Sequence, residues 1–488
     1  MFGVVNHQGV VAETTAAAVT DDYVPHPHRW RILCVSLVIG FMALLDVSIV
    51  NVALPSMSSG LGASEGEIQW VVSGYALTFG LTLVAGGRLG DAYGRRRMML
   101  IGITAFVLSS AAVGFAPTTG TVVLARLVQG ASAGLLTPQN SGLIQVLFRG
   151  RERAQAFGVF GMTVASAQAL GPVIGGLIIA VAGSASGWRW VFWVNIPIGV
   201  IGLLGVLLLV PRVLPRKDRP DPRIDVLGAL LLGVAVVCLL YPVVSLESDR
   251  YLPLVMLVGV PLGLWAFVRW EARVQRLGRP PLLDLRLLQG LPGYVNGLAV
   301  GALYFTGYVG FMLVVSLHLQ EALGYSALQA GLTMMPFAVG AAVAAPIAGR
   351  FVTDLGRVIT VAALSVLMLG VLAVAVFVQV APTDRLWLVI LPALLIGGIG
   401  SGAVVSPNMA LTLAEVPPAM GGAAGAAVQT GQRMGQAIGS ALAVSVYGIV
   451  GSRLTSEDGV SAALVVEALL LCAALAMAVH AKRQASAA

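Results

Sequence analysis

Residues 87–100 read GRLGDAYGRRRMML, one acid and four arginines among three glycines, set between two long apolar runs. Small residues let helix ends approach closely. An acid beside a basic cluster at such a point is placed for charge-assisted hydrogen bonds. Stop-transfer charge alone accounts for Arg95, Arg96 and Arg97, but not for Gly87, Asp91 and Gly94. The stretch therefore reads as a tight charged turn between two membrane helices. Gly87, Asp91, Gly94, Arg95 and Arg96 form a candidate conformational latch, closed in one state and released in another.

The rest of the chain fits that reading. Of 488 residues, 58% are hydrophobic and 10% charged, where a soluble domain carries about 25% charged residues. The mean hydropathy is +0.91. Apolar runs fall at roughly 30–55, 68–89, 98–116, 121–145, 154–182, 189–210, 225–245, 251–269, 291–319, 327–349, 358–380, 386–411, 422–449 and 460–480. Each is long enough for a hydrocarbon core of about 30 Å. The expected fold is an all-α polytopic membrane protein of about fourteen helices.

The net charge of +7 would point to nucleic acid in a soluble protein. Here it follows the positive-inside rule. With the N-terminus in the cytoplasm and the helices alternating, only Arg189, Arg250, Arg385 and Arg453 of the 29 Lys and Arg fall outside, and Arg126 and Arg433 lie within helices. One missed or invented helix would scramble that bias in every later loop. Both termini are thus expected in the cytoplasm, and no nucleic-acid partner is expected. The first 29 residues hold no apolar core and include Asp21 and Asp22, so no cleaved signal peptide is expected. The few lysines, Lys217 and Lys482, and the wealth of Ala, Gly and Val point to a GC-rich bacterial genome and hence to a bacterial inner membrane. Cys34, Cys238 and Cys472 lie far apart in apolar runs, with neither metal nor disulfide spacing. No cofactor or metal is expected.

The opening turn has an echo. Residues 349–357 read GRFVTDLGR against GRLGDAYGR at 87–95, with the acid moved by one place, from Asp91 to Asp354. Both follow a long apolar run. The echo points to two homologous six-helix halves. The expected organisation is a tail at 1–29, a first bundle at 30–210, a linker with two inserted helices at 211–290, a second bundle at 291–480 and a tail at 481–488. The linker PRVLPRKDRPDPRID (211–225) ends the first half.

Charges within a bilayer are expensive and commonly functional. Asp46 late in the first helix and Arg126 early in the fourth have matching estimated depths in the outer half. A carboxylate whose proton affinity changes with conformation is what a proton carrier needs, and a guanidinium that comes and goes supplies the change. The pair is the candidate proton-coupling site; the alternative is a static ion pair that fixes helix packing. Arg433, between Gly431, Gly435 and Gly439, and Glu467 in the last helix are further candidates. With Tyr75, Gln129, Asn140, Gln168, Asn296, Tyr304, Tyr308 and Gln429 they form the candidate substrate cavity, mostly apolar with sparse polar anchors. The bland reading of the aromatics is packing or interface anchoring. Lys217 precedes Asp218 and Lys482 precedes Arg483, so no P-loop is present and an ion gradient is the remaining common drive.

At this point several motifs are recognisable. GRLGDAYGRR resembles the motif between helices 2 and 3 of the major facilitator superfamily, with Ala92 where the family usually has a basic residue. LLDVSIVNVALPSM (44–57) resembles the helix 1 motif of its fourteen-helix drug:proton antiporters, the EmrB/QacA type. ARLVQGASAG (125–134) resembles the helix 4 motif, and WRWVFWVNIPIG (188–199) the start of helix 6. ALGPVIGG (169–176) resembles the antiporter motif of helix 5, with Ala167 in place of the usual leading glycine. The resemblance implies a major facilitator fold of two six-helix bundles plus two inserted central helices. It implies that Gly171, Pro172, Gly175 and Gly176 form the antiporter motif, and it favours the proton as coupling ion. The implied activity is proton-coupled efflux of small hydrophobic or amphipathic compounds across the lipid bilayer, by alternating access in a monomer. Export of one endogenous product is the alternative, and a nutrient symporter is disfavoured by the helix 5 stretch. No His/Asp/Glu constellation supports an enzyme.

Overall fold

The computed structural model describes residues 25–183, 186–212, 225–246, 252–279, 281–383 and 385–487. The tail before residue 25, Arg250, and Arg216, Lys217, Arg219 and Arg223 of the linker lie outside the described residues.

The helices are α1 (Arg29–Leu61), α2 (Glu65–Tyr93), α3 (Arg95–Phe115), α4 (Thr119–Leu147), α5 (Gly150–Ala182), α6 (Gly187–Trp193) and α7 (Asn195–Leu209). There follow α8 (Val226–Leu246), α9 (Gly259–Arg276), the short α10 (Arg286–Gly290), α11 (Pro292–Leu317), α12 (Ala327–Leu355) and α13 (Arg357–Val380). The chain ends with α14 (Leu386–Thr412), α15 (Gly421–Gly451) and α16 (Ser456–Ala487). Among the described residues, 13 helices are long and apolar enough to cross a membrane, with α6 and α7 counted as one span. The remaining expected helix is α8, whose apolar stretch Val226–Leu239 is shorter. Large apolar side chains such as Leu108, Leu177, Val181 and Leu208 stand exposed around the outside. In water such a surface would drive aggregation; in a bilayer it meets lipid.

One expected helix is broken. The sixth apolar run divides into α6 and α7 at Val194. Pro197 has no backbone N–H and its ring opposes the carbonyl of Trp193, so the ladder cannot run through. The break brings Asn195 to the start of α7, fully buried.

Within the first group of helices, α2 and α3 pack on α4, and α1 packs on α5 and α7. The later helices repeat the scheme: α12 and α13 pack on α14, and α11 on α15 and α16. The two groups meet where α5 lies against α12 and α2 against α15. The inserted α8 and α9 pair with each other, and α8 leans on both α2 and α15. The segment after α9 buries Leu282, Leu283 and Leu287 in the same core as α1–α5. It lines a small cavity with Arg88 and Ala423.

Both echo turns pivot on a glycine with positive φ, Gly94 at 97° and Gly356 at 53°. An L side chain is disfavoured there, which explains the second glycine of each motif. Their acids differ in setting. Asp91 is buried, whereas Asp354 is exposed and only loosely paired with Arg151 at 3.7 Å. An exposed pair of that kind contributes about 0–1 kcal/mol.

Candidate functional site: a buried carboxylate and a bridged helix turn

Asp46 and Arg126 meet, as their depths in the sequence require. Arg126 Nη1 donates to Asp46 Oδ2 at 2.5 Å, and both side chains are buried. Two amides complete the carboxylate's shell: Gln129 Nε2 donates to Oδ1 at 3.0 Å and Asn195 Nδ2 to the same oxygen at 2.7 Å. Asn195 also donates to Ser110 Oγ at 3.0 Å, and Ser110 donates to the Phe192 carbonyl at 2.9 Å. The guanidinium is equally held. Its Nε donates to the Val71 carbonyl at 3.0 Å, its Nη1 to Gln129 Oε1 at 2.8 Å, and its carbon lies 4.2 Å from the Tyr75 ring centre. Side chains from α4 and α7 thus meet the α1 acid, backed by Ser110 of α3, in a buried setting where an unpaired charge would be very costly. Three-residue helix spacing on its own finds Gln129 beside Arg126. Asn195 and Ser110 were not singled out in the sequence; the signal for Asn195 was Pro197, which breaks the sixth helix beside it.

A fixed fork of donors serves Asp46, Gln129 and Val71 together, and an ammonium cannot reproduce it. Arg126→Lys keeps the charge but should lose most transport, by more than about tenfold, or about 1.4 kcal/mol. Parental rates from Arg126→Lys in vesicles would show that charge alone matters.

An aromatic ladder leads away from this pair. Tyr75 stacks on Phe79 at 6.1 Å, and the Arg433 guanidinium lies 4.7 Å from the Phe79 ring centre. Arg433 also donates to Gln436 of its own helix at 2.9 Å. It therefore finds aromatic and amide partners rather than a carboxylate. Gly435 and Gly439 press on the α11 backbone: an added Cβ would lie 2.3 Å from the Ala302 carbonyl oxygen and 2.0 Å from that of Thr306.

A second group forms at the α5–α11–α12 contact. Tyr308 donates to Gln168 Oε1 at 2.8 Å and stacks between Tyr304 and Phe337. Tyr304 shares a 2.6 Å bond with Ser401. The remaining cavity candidates lie apart. Asn140 packs on α1 at Gly40, and Asn296 accepts a place at the end of its own bundle, donating to Gln484 at 2.8 Å. Gln429 is buried with neither amide atom bonded among the described residues. Glu467 is buried between α16 and α11, inside one bundle rather than between the two.

The helix 5 motif is a packing surface for the helix that carries Asp46. A Cβ at Gly171 would meet Ser48 Oγ at 1.9 Å, and one at Gly175 would meet Ile49 at 2.9 Å. Ser48 in turn donates to the Ala167 carbonyl at 3.0 Å. Gly176 faces α12 with its nearest atom at 4.0 Å, and Pro172 lies against Gly331 there. The motif thus divides into two faces. Gly171→Ala should destabilise by about 1–3 kcal/mol through overpacking and slow transport by displacing α1. Gly176→Ala should match the parent in both. Equal thermal-shift and transport losses from the two would contradict this division.

At the opening turn, Arg95 Nη2 donates to Asp91 Oδ1 at 2.6 Å, and Asp91 Oδ2 accepts from the Ala423 backbone N–H at 3.0 Å. Ala423 lies in the first turn of α15. A carboxylate there is favoured by unpaired N–H groups and by the helix dipole, worth about 0.3–1 kcal/mol and up to ~2 where partly buried. The complementary contact is nearby. Arg153 donates to the Ala414 carbonyl at 3.1 Å and Gln145 to the Leu413 carbonyl at 2.8 Å, both at the C-terminal end of α14. An anion at a helix N-terminus and a cation at a helix C-terminus thus tie the two bundles at this end. Glycines make the room. A Cβ at Gly87 would meet the Gly422 carbonyl oxygen at 2.6 Å, and a side chain at Gly142 or Gly422 would collide with the Arg95 guanidinium. Arg96 is not part of this tie: it donates to the Leu207 carbonyl at 2.9 Å within the first bundle.

Known proteins place the chain. It is 36% identical over 447 residues to a probable actinorhodin transporter of Streptomyces coelicolor, covering 90% of this chain and 76% of that one. It is also 36% identical to the puromycin resistance protein pur8 of Streptomyces alboniger, over 91% of this chain and 86% of the relative. The multidrug resistance protein Stp of Mycobacterium tuberculosis is 32% identical over 84% of this chain and 73% of its own length. Among solved structures, the human organic anion transporter MFSD10 (TETRAN) shares the fold with a TM-score of 0.68 at 18% identity, over 93% of this chain and all of that one. The family description "Major Facilitator Superfamily" matches residues 36–440 and 297–486. With its repeated bundles, its glycine-pivoted turns and these matches, the chain is a multi-pass membrane protein that belongs to the Major Facilitator Superfamily.

Proposed function

We propose that this protein exports hydrophobic or amphipathic organic compounds from a bacterial cell in exchange for protons, as a single chain. Both termini lie in the cytoplasm, so the Asp91 turn is on the cytoplasmic face. The helices at 30–210 and 291–480 are the two halves that rock against each other in alternating access. The observation that carries the reading is the buried Asp46 with its three side-chain donors, a carboxyl group kept for a purpose in a chain whose relatives are named for antibiotic resistance and export. Each proton entering gains about 2.3 kcal/mol per 100 mV of membrane potential. The cytoplasmic tie between the halves, with α15 seated on α2, describes a form closed on that side. In it Asp46 is paired with Arg126; proton uptake in the other form lets Arg126 release it.

Export of one self-made product is the reading next in line. It is favoured by two relatives of Streptomyces, whose names are those of an actinorhodin transporter and a tetracenomycin C resistance and export protein. Everted vesicles separate the two. Ethidium and puromycin should both accumulate on energising, and a protonophore should stop both. Uptake of neither, with a single polyketide-like compound carried instead, would favour the narrower reading. Accumulation that persists with the protonophore would remove proton coupling.

A further inference from the structure

We propose that Glu467 is a second proton-binding site of the transport cycle, in the second half of the molecule, at the place where the first half has Asp46. The proposal rests on the proton-coupling reading above.

Asp46 lies on the first helix of its half, α1, and touches Asn195 on the last, α7. Glu467 lies on the last helix of its half, α16, and touches the first, α11, at Gly310. The same helix–helix contact therefore holds a carboxyl group in each half, carried on opposite partners. Glu467 is completely buried, and neither of its oxygens has a hydrogen-bond partner among the described residues. Gly310 makes its seat: a Cβ there would lie 2.1 Å from Oε1. One turn earlier, Gly307 lets the α16 backbone come close, with the Glu467 carbonyl oxygen 3.0 Å from where its Cβ would be. Two glycines one turn apart thus leave a slot of carboxyl size on a helix otherwise lined by Val, Phe and Tyr.

Among the described residues, nothing charged answers it. α11 carries no charged residue; α13 carries only Arg357, at its first position, and α15 only Arg433. Arg357 donates to the Gly293 carbonyl, and Arg433 is engaged by Gln436 and Phe79. His318 and Glu321 sit in the turn after α11, and neither bonds to Glu467. A charge with neither counter-ion nor donor among the described residues is costly in such a setting, which suits this carboxyl group to carrying a proton. A leucine or methionine would fill the slot without that constraint. A carboxyl group retained there is able to give its proton up when α11 and α16 shift and a wetter path opens, while Asp46, paired with Arg126 in this conformation, is able to take one when that pairing breaks. The two halves would then carry protons in opposite phase.

The test reads the proton directly. Purified protein in lipid nanodiscs is examined by infrared difference spectroscopy during a pH titration, beside Glu467→Gln and Glu467→Asp. The glutamine variant copies the shape of the protonated acid, so it should fold and bind ethidium like the parent. It should lose one protonated-carboxyl C=O band and carry fewer protons per ethidium in proteoliposomes; the aspartate variant should restore both in part. An unchanged carboxyl band would show that Glu467 holds no proton. A lost band with parental proton stoichiometry would show a static neutral group, which equally overturns the proposal. If the parent itself moves no protons with ethidium, the coupling reading fails as a whole. The band still reports separately whether Glu467 is protonated.

Discussion

Asp46→Asn is expected to reduce proton-driven export to the level of empty vesicles while leaving a folded protein that binds substrate. The geometry gives both halves of that expectation. Asparagine keeps an oxygen at the position that accepts from Arg126, and the guanidinium retains the Val71 carbonyl and Gln129 as further acceptors. It does not keep the neutralising charge. Removing one partner of a buried pair costs about 3–5 kcal/mol, so a lowered melting temperature is expected, softened by these remaining bonds. What disappears entirely is the exchangeable proton of this pair. The amide mimics the protonated acid permanently, so the pH gradient no longer switches the Asp46–Arg126 contact on which the cycle depends. The measurement is pH-driven accumulation of ethidium in proteoliposomes, with ethidium binding and thermal stability read in parallel. Full accumulation by Asp46→Asn would remove the residue from coupling. Loss of accumulation together with loss of folding would be resolved by Asn195→Ala, which loosens the same carboxylate without deleting it and should slow transport without abolishing it.

The order in which these residues became readable follows from their chemistry. Asp46 and Arg126 stand out in any apolar run because ions are expensive in a bilayer, and their depths can be counted along ideal helices. Asn195 and Ser110 are neutral, and neutral polar side chains in membrane helices are common enough that nothing marks these two. Only a helix break at Val194 carries Asn195 inward, and that break is a consequence of Pro197 that a simple hydropathy run conceals. The charged turn divides in the same way. Its glycines, acid and first arginine are legible from spacing. Its partner is not, because Asp91 is answered by a backbone N–H at Ala423, which any non-proline residue supplies. Gly142 and Gly422 shape the seat of Arg95, yet among 59 glycines nothing in the sequence distinguishes them. Arg96 was assigned to the latch because it neighbours Arg95. One residue along a helix turns a side chain by about 100°, and that rotation sends it to α7 instead. Glu467 and Asn296 were placed in the cavity on polarity alone, which does not reveal the face on which a helix presents them. Both prove to be held within the second bundle.

Gly142→Ala should open the proposed cytoplasmic latch without altering a single charge. The added methyl would fall 1.4 Å from Arg95 Nη1, in a pocket where Arg95 is almost wholly enclosed. The guanidinium must move, and with it goes the 2.6 Å bond to Asp91. Asp91 then loses its bond with Arg95 at the α15 N-terminus. Hydrogen bonds to charged groups contribute about 1.5–3 kcal/mol each, so loss of one such bond displaces a two-state equilibrium by roughly tenfold to a hundredfold. The direction follows from where the bond sits. It lies within the first half, where it fixes the carboxylate that accepts from the Ala423 N–H across the seam; on the proposed topology that contact forms only while the cytoplasmic ends are together, so loosening it favours the inward-open form. Asp91→Asn attacks the same tie from the other side, reducing both the pairing with Arg95 and the attraction to the helix N-terminus, and should act in the same direction. Single cysteines introduced on the cytoplasmic and outer faces of α2 report the shift: cytoplasmic labelling should rise and outer labelling should fall in both variants, with ethidium binding retained. Arg96→Ala, whose target is the Leu207 carbonyl, is the internal control and should label like the parent. Should Gly142→Ala and Asp91→Asn leave labelling unchanged while binding is lost, the turn serves the fold or the substrate path and does not gate access.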